Sequence, residues 1–402
     1  MSRHFFFAPV SMSGYHRWTA GASQVGAASH KVAGMAAGLR SQGRRAVVVS
    51  SPIVTRERRR WGFGGRVCRD DGMACVYLPV VRMRGWNRLW SGLLYLWFAV
   101  RRIRADDTVV FYNFFPEYLL AAAWLRCRYG AERLIMDIED GPRADEPGAR
   151  ARITRWSFRV LRRLCSPRAI VVSHQLAASL GVTDACVING VALSGPALPP
   201  DFDGPVTFLY GGTIEAGTGL PIFVDAVRQI AREHPQLAAR IRFLITGFGA
   251  TEELEALAAD VRLSGVVVDV RQDVGPTEYL AALRASQVGL SLRMPVSSLS
   301  ATTFPSKVIE FAANGLLVLT TDVSDIGRIF DGATAVVLRE ATAQGLAAQM
   351  IAIAADPATH ARVAAAGRTR VIERFSIAAI GRQLADFLVR PANGKRPVTE
   401  LP

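Results

Sequence analysis

TTFPSKVIEFAANGLLVLTTD, Thr302 to Asp322, decides the reading of this chain. Pro305 suits a first helical turn, Thr302 or Thr303 can cap it, Asn314-Gly315 ends it, and LLVLTTD reads as a buried strand. Val308, Ile309 and Ala312 fall on one face of that helix; Ser306, Lys307, Glu310 and Asn314 fall on another. A lysine in the first turn opposes the helix dipole by about 0.3–1 kcal/mol unless an anion is near. A solvated Lys307–Glu310 pair, in the poorer order, recovers only about 0.2–0.5 kcal/mol. The sharper expectation is a phosphate held by Lys307 and the first-turn N–H groups, with Glu310 accepting from hydroxyls.

Outward from this stretch, short Val/Ile/Leu runs alternate with helix-length amphipathic segments. Strands are expected at 46–51, 108–113, 133–140 and 169–173 and at CVING in the first half. In the second half they are expected at 206–212, 241–247, 266–270, 288–292, 316–322 and 334–338. This alternation predicts an α/β chain of two Rossmann-like, doubly wound domains. The Pro/Gly-rich stretch at 190–205 reads as the linker between a domain at 1–195 and one at 196–375. A helix at 376–390 is expected to pack back toward the first domain, ahead of a disordered tail at 391–402.

The 402 residues carry a net charge of +14, and residues 1–195 alone carry +16, so the excess belongs to the first half. Five cysteines without a CxxC pair, and no signal peptide at MSRHFFFAPV, point to a reducing cytoplasm rather than a disulfide or zinc framework. Arg82 to Arg104 sets an apolar, aromatic centre between arginine clusters, and Arg150 to Leu164 and Arg56 to Arg60 add to the field. The run from Leu89 to Val100 is far shorter than the roughly 20 residues a spanning helix needs. It suits a core helix, an interfacial position on the anionic inner leaflet, or both. No nucleic-acid motif accompanies the charge.

FPSKVIEFAANGLLVLTTD resembles the donor-site segment of retaining GT-B glycosyltransferases of family 4, which reads loosely PSK, two residues, E, a small-residue turn and a strand. VTFLYGGTI, FLITGFG before TEELEALA, VVVDVRQDV, ASQVGLSL, MAAGLRSQGRRAVVV and AIVVSHQLAASLG with VING are similar to the family in order and spacing. The resemblance implies a GT-B fold, a nucleotide diphosphate sugar donor, Glu310 on its ribose and Lys307 on its diphosphate. It also implies retention of anomeric configuration with no protein nucleophile. Thr302 stands where the family commonly has a glutamate, and Thr213 and Thr218 where many members have Arg and Lys. Arg293, at the end of VGLSL, is the candidate replacement charge.

Further candidates follow from position. The Gly-rich stretch at 210–219, with Gly211, Gly212 and Thr213, is expected to form a loop at a strand end and cradle a phosphate; a plain turn is the alternative. Gly247 and Gly249 of TGFG allow close approach to a base, and Thr303 and Ser306 flank the key helix. MDIEDGP ends a first-domain strand, so Asp137, Glu139 or Asp140 would orient an acceptor hydroxyl or the donor sugar; a capped solvated turn is the alternative. Asp140 joins Lys307, Glu310 and Arg293 as a candidate catalytic residue, and Gly14, Glu139 and His174 are candidates on the acceptor side. The one clean Asp-x-Asp, Asp201-Phe202-Asp203, lies in the linker, so no metal and no cofactor are expected.

These readings converge on a hexosyltransferase using a nucleotide diphosphate sugar, UDP favoured. Its acceptor would be a lipid-linked saccharide at the cytoplasmic membrane face, in cell-surface polysaccharide or lipopolysaccharide assembly. A catalytically silent scaffold of the same fold, binding a membrane or a partner, and a sugar-nucleotide epimerase are the alternatives.

Overall fold

The computed structural model describes residues 2–23, 26–54, 62–70, 72–81, 86–142, 147–193, 202–237, 239–249, 251–272, 274–295 and 302–390. The Arg56–Arg60 cluster, residues 82–85, the linker core with Asp201 and the expected tail at 391–402 lie outside the described residues.

One compact unit comprises residues 1–191 with 377–402. Its elements are β1 (Arg3–Phe7), α1 (Ser13–Trp18), α2 (Ala27–Ser41), β2 (Arg45–Ser50), β3 (Gly62–Phe63), β4 (Arg66–Asp70), β5 (Met73–Tyr77), β6 (Val80–Val81) and α3 (Trp86–Arg102). They continue through β7 (Thr108–Tyr112), α4 (Leu119–Tyr129), β8 (Leu134–Ile138), α5 (Ala149–Leu164), β9 (Ala169–Val171), α6 (His174–Ser179) and β10 (Ala185–Val187). The main sheet runs β10-β9-β8-β7-β1-β2-β5-β4, parallel except for β4, which pairs antiparallel to β5 at the edge.

The pattern reading did not pick out β1. RHFFF lacks the β-branched residues that mark the other strands, yet it pairs with both β2 and β7 at the centre of the sheet, with Phe5, Phe6 and Phe7 buried. α3 packs on it through aromatic rings: Phe5 meets Phe98 edge-on at 5.6 Å, and Phe7 stacks on Tyr95 at 4.9 Å. Such pairs add about 0.5–1.5 kcal/mol each beyond area burial. One face of the Leu89–Val100 run is therefore core.

The second unit, 192–376, is a wholly parallel sheet in the order β13-β12-β11-β14-β15-β16. Its elements are β11 (Val206–Ile214), α7 (Leu220–Glu233), β12 (Ile241–Gly249), α8 (Thr251–Val261), β13 (Val267–Gln272), α9 (Pro276–Arg284), β14 (Val288–Ser291) and α10 (Lys307–Ala313). β15 (Leu317–Thr321), α11 (Ile326–Ile329), β16 (Val336–Leu338), α12 (Ala343–Ala355) and α13 (Pro357–Phe375) complete it. The chain then returns to the first unit as α14 (Ile377–Val389), which packs on α2. The helices touch through glycine: a Cβ on Gly381 would lie 2.2 Å from the Gly38 carbonyl oxygen. Arg168 fixes the end of α14 by donating to the carbonyls of Phe387 and Arg390, with its guanidinium 4.4 Å from the Phe387 ring centroid.

α2 is tied to the sheet by a buried ion group. Lys31 Nζ lies 3.4 Å from Asp137 Oδ1 and donates to Glu139 Oε1, and Asp137 is fully buried. Asp137 Oδ2 has no hydrogen-bond partner among the described residues. Burial works to lower the Lys31 pKa, but the carboxylates of Asp137 and Glu139 outweigh it and hold the ammonium charged. Burial pushes the Glu139 carboxyl up to about 8, against Lys31 and with Asp137.

Two outcomes follow. Lys31→Met leaves buried carboxylates without their cation and lowers stability by about 3–5 kcal/mol, read by urea unfolding. Glu139 binds its proton more tightly folded than unfolded, so its contribution to stability is complete below pH ~4.5 and lost as pH rises to about 8. Buried His4, whose pKa burial lowers to about 4, works oppositely: its contribution is complete above pH ~6.5 and lost on acidification toward 4. The difference between wild type and Glu139→Gln cancels the His4 contribution, and wild type is expected to lose stability relative to the variant as pH rises toward 8; a flat difference contradicts the assignment.

Candidate functional site

Lys307 opens α10, and its side chain crosses β11. A Cβ on Gly212 would sit 2.7 Å from Lys307 Cε, and Gly212 holds φ at +109°, so this position requires glycine twice over. Lys307 Nζ donates to Tyr279 Oη at 2.9 Å and reaches Glu310 Oε2 at 3.3 Å, while Tyr279 O–H donates to the same Oε2 at 3.0 Å. The ammonium lies 4.7 Å from the Tyr279 ring centroid. Burial and the Glu310 carboxylate push the Tyr279 pKa well up, so this hydroxyl is a neutral donor. Lys307 and Glu310 side chains each remain 33% exposed, open enough for a ligand to reach them.

Tyr279 comes from α9 and escaped the sequence reading. Nothing local marks it: the tyrosine sits in an ordinary helix, and only the fold brings it to α10. The same holds for Thr246 on β12. Its hydroxyl is buried with no hydrogen-bond partner among the described residues, and lies 3.1 Å from where a Cβ on Gly211 would be.

The glycine stretch differs from its expected form. Gly211, Gly212 and Thr213 belong to β11 itself, which runs on to Ile214 in register with β12, rather than to a loop. Gly247 and Gly249 are required by this pairing: a Cβ on either would lie 2.0 Å from the Gly212 oxygen or 2.2 Å from the Ile214 oxygen. Thr213 is exposed, and its carbonyl accepts from the Thr218 hydroxyl at 2.9 Å.

Two details of the helix start also differ. α10 begins at Lys307 with Ser306, not a threonine, at its cap and without a side-chain capping bond; Pro305 precedes it. The first-turn amides expected to face a phosphate are largely engaged. Ser306 N–H donates to the Phe304 carbonyl at 2.9 Å, Val308 N–H to Pro305 at 3.1 Å and Ile309 N–H to Ser306 at 3.1 Å. The tight turn led by Pro305 consumes donors that a regular helix would leave open.

Arg293 follows β14 and donates to the Thr303 hydroxyl, while its carbonyl accepts from Thr321 Oγ1 at 2.6 Å. It is thereby fixed to the C-terminal ends of β14 and β15.

In the first unit, the candidates sit on successive strand ends. Glu139 and exposed Asp140 follow β8, and His174 begins α6 after β9, with Ser173 capping that helix through a 3.0 Å bond from Leu176 N–H. Asn113, after β7, holds φ at +57° and accepts from Glu139 N–H at 2.9 Å. These loops share the carboxyl edge of a parallel sheet, where open α/β folds bind ligands. Gly14 follows β1 in the same row, but its N–H donates to Asp70 Oδ1 at 2.7 Å and its amide is taken within the unit.

Residues 224–386 match the family model described as Glycosyl transferase-like. No curated protein matches the chain in sequence. Among solved structures, sucrose-phosphate synthase from Thermosynechococcus elongatus aligns with a TM-score of 0.65 at 15% identity, over 96% of this chain and 98% of that one. A glycosyltransferase from Rickettsia africae ESF-5 aligns at 0.64 and 14%, over 96% and 97%. An E. coli trehalose-6-phosphate structure, bound with UDP-2-fluoro glucose, aligns at 0.62 and 12%, over 97% and 99%. The chain thus has the GT-B fold, and the match over residues 224–386 supports a glycosyltransferase.

Proposed function

We propose that the protein transfers a hexosyl group from a nucleotide diphosphate sugar, UDP favoured, to a lipid-linked saccharide at an anionic membrane surface, with retention of configuration. The observation that carries this reading is the Lys307–Tyr279–Glu310 group on the carboxyl edge of β11, with Gly212 beneath the lysine. Lys307 would meet the diphosphate and Glu310 the ribose hydroxyls, while Tyr279, bonded to both, orients the cation and the carboxylate. The E. coli relative bound to UDP-2-fluoro glucose supports the donor class.

In the reaction, the bond between the anomeric carbon and the diphosphate breaks as the acceptor oxygen attacks on the same face. The acceptor proton passes to the departing phosphate oxygen. No protein nucleophile enters, so the protein acts by positioning and by stabilising charge on the leaving group. Lys307 supplies that charge, and Arg293 adds to it from the end of β14. Glu139, Asp140 and His174 are proposed to orient the acceptor.

A silent scaffold is the second reading, favoured by Thr213, Thr218 and Thr302 at positions where the resembled family carries charge. The Thr218 hydroxyl bridges within its own loop, to the carbonyls of Thr213 and Glu215, both at 2.9 Å. Donor hydrolysis or transfer by the purified chain separates the readings, since a scaffold shows neither.

Lys307→Ala is expected to weaken UDP binding by about ten- to a hundredfold, the loss of one or two charge-assisted hydrogen bonds, measured by calorimetry. Unchanged affinity and turnover would remove the donor-site assignment. Tyr279→Phe keeps the ring under the ammonium and removes only the bridging hydroxyl. We expect stability to fall by about 1 kcal/mol and the KM for the donor to rise several-fold.

A further inference from the structure

We infer that the outer faces of α3, α4 and α5 form one docking surface for an anionic lipid bilayer. This deepens the membrane-associated acceptor of the proposed function and rests on that reading.

α3 is apolar on the wrong side for a solvated helix. Its inner face buries Tyr95, Phe98 and Ala99 on β1. Its outer face carries Trp86, Leu89, Trp90, Leu93, Trp97 and Val100, all exposed, at spacings that place them in a single stripe along the helix. Trp86 is 64% and Trp97 53% exposed.

The stripe continues onto neighbouring helices. α4 packs against both α3 and α5, and adds exposed Leu120. α5 adds Ile153 and Trp156, the latter 54% exposed. Nine of the eighteen exposed large hydrophobic residues among the described residues belong to these three helices. Concentrated exposure of this kind marks a binding face rather than scattered surface residues.

Charge identifies the occupant. The three helices contain eleven arginines and no aspartate or glutamate. Arg101 and Arg102 end α3, and Arg152, Arg159 and Arg163 stand exposed on α5 beside Ile153 and Trp156. Guanidinium groups bind phosphate by paired hydrogen bonds, and indoles settle at the boundary between headgroups and acyl chains. No helix among the described residues is long and apolar enough to cross a membrane, so the contact would lie in the interface plane. Bare base stacking or phosphate tracking would not call for a continuous Leu/Val/Trp stripe, which favours lipid over nucleic acid.

The test uses the full chain with vesicles of phosphatidylcholine alone or mixed with phosphatidylglycerol. Binding is expected to the mixed vesicles only, with a blue shift of tryptophan emission, and to weaken as salt rises. Trp97→Ser with Trp156→Ser is expected to weaken partitioning by about tenfold or more, with Tm unchanged because both rings are exposed. Arg152→Glu with Arg159→Glu should remove the preference for the anionic mixture. The inference fails on equal binding to neutral vesicles, no binding to mixed vesicles, or wild-type partitioning by the tryptophan variant. It also fails if the chain forms a concentration-dependent dimer that this variant abolishes. Donor hydrolysis measured without vesicles reports on the proposed function separately, so either idea can fall while the other stands.

Discussion

An ammonium group resting on bare peptide is the constraint around which the second unit is arranged. Lys307 reaches across β11 only because residue 212 has no side chain. β11 can extend that far only because β12 brings glycines at 247 and 249 to its flank, where any Cβ would strike a carbonyl oxygen. The cation is then met from α9 by a phenol and from its own helix by a carboxylate. Two strands and two helices therefore have to be placed before this one charge is satisfied.

That arrangement also answers why a lysine sits at the dipole's positive end. Its neutralisation does not wait for a ligand: Glu310 and the Tyr279 ring and hydroxyl supply it within the fold. Both charged groups stay one-third exposed, so a partner presenting phosphate oxygens and hydroxyls can exchange places with this internal pairing at little desolvation cost. The internal triad keeps each group in its rotamer beforehand, which is what preorganisation requires.

What the sequence disclosed and what it withheld divide along range. Alternating apolar runs and amphipathic segments report local periodicity, so the parallel sheets and the helix after Pro305 were readable. Lys307 and Glu310 were readable because they lie three residues apart on one turn. Tyr279, Thr246 and Lys31 were not, because each acquires its surroundings from an element remote in the chain. β1 was missed because a run of phenylalanines at a terminus has neither alternation nor β-branching, although burial between two neighbours suits it. The engaged first-turn amides depend on a non-helical turn that residue types alone do not specify.

The return of α14 to the first unit has a consequence for biogenesis. Ala192 N–H donates to the Phe375 carbonyl at 2.8 Å, so the outgoing and incoming segments run side by side, and the second unit is inserted in sequence between the two parts of the first. On the ribosome, the inserted part emerges whole before the last helix of its host has been synthesised. α2 must wait for its glycine-to-glycine partner until the second unit has been made, so the basic unit cannot complete its core before the unit inserted within its sequence has emerged.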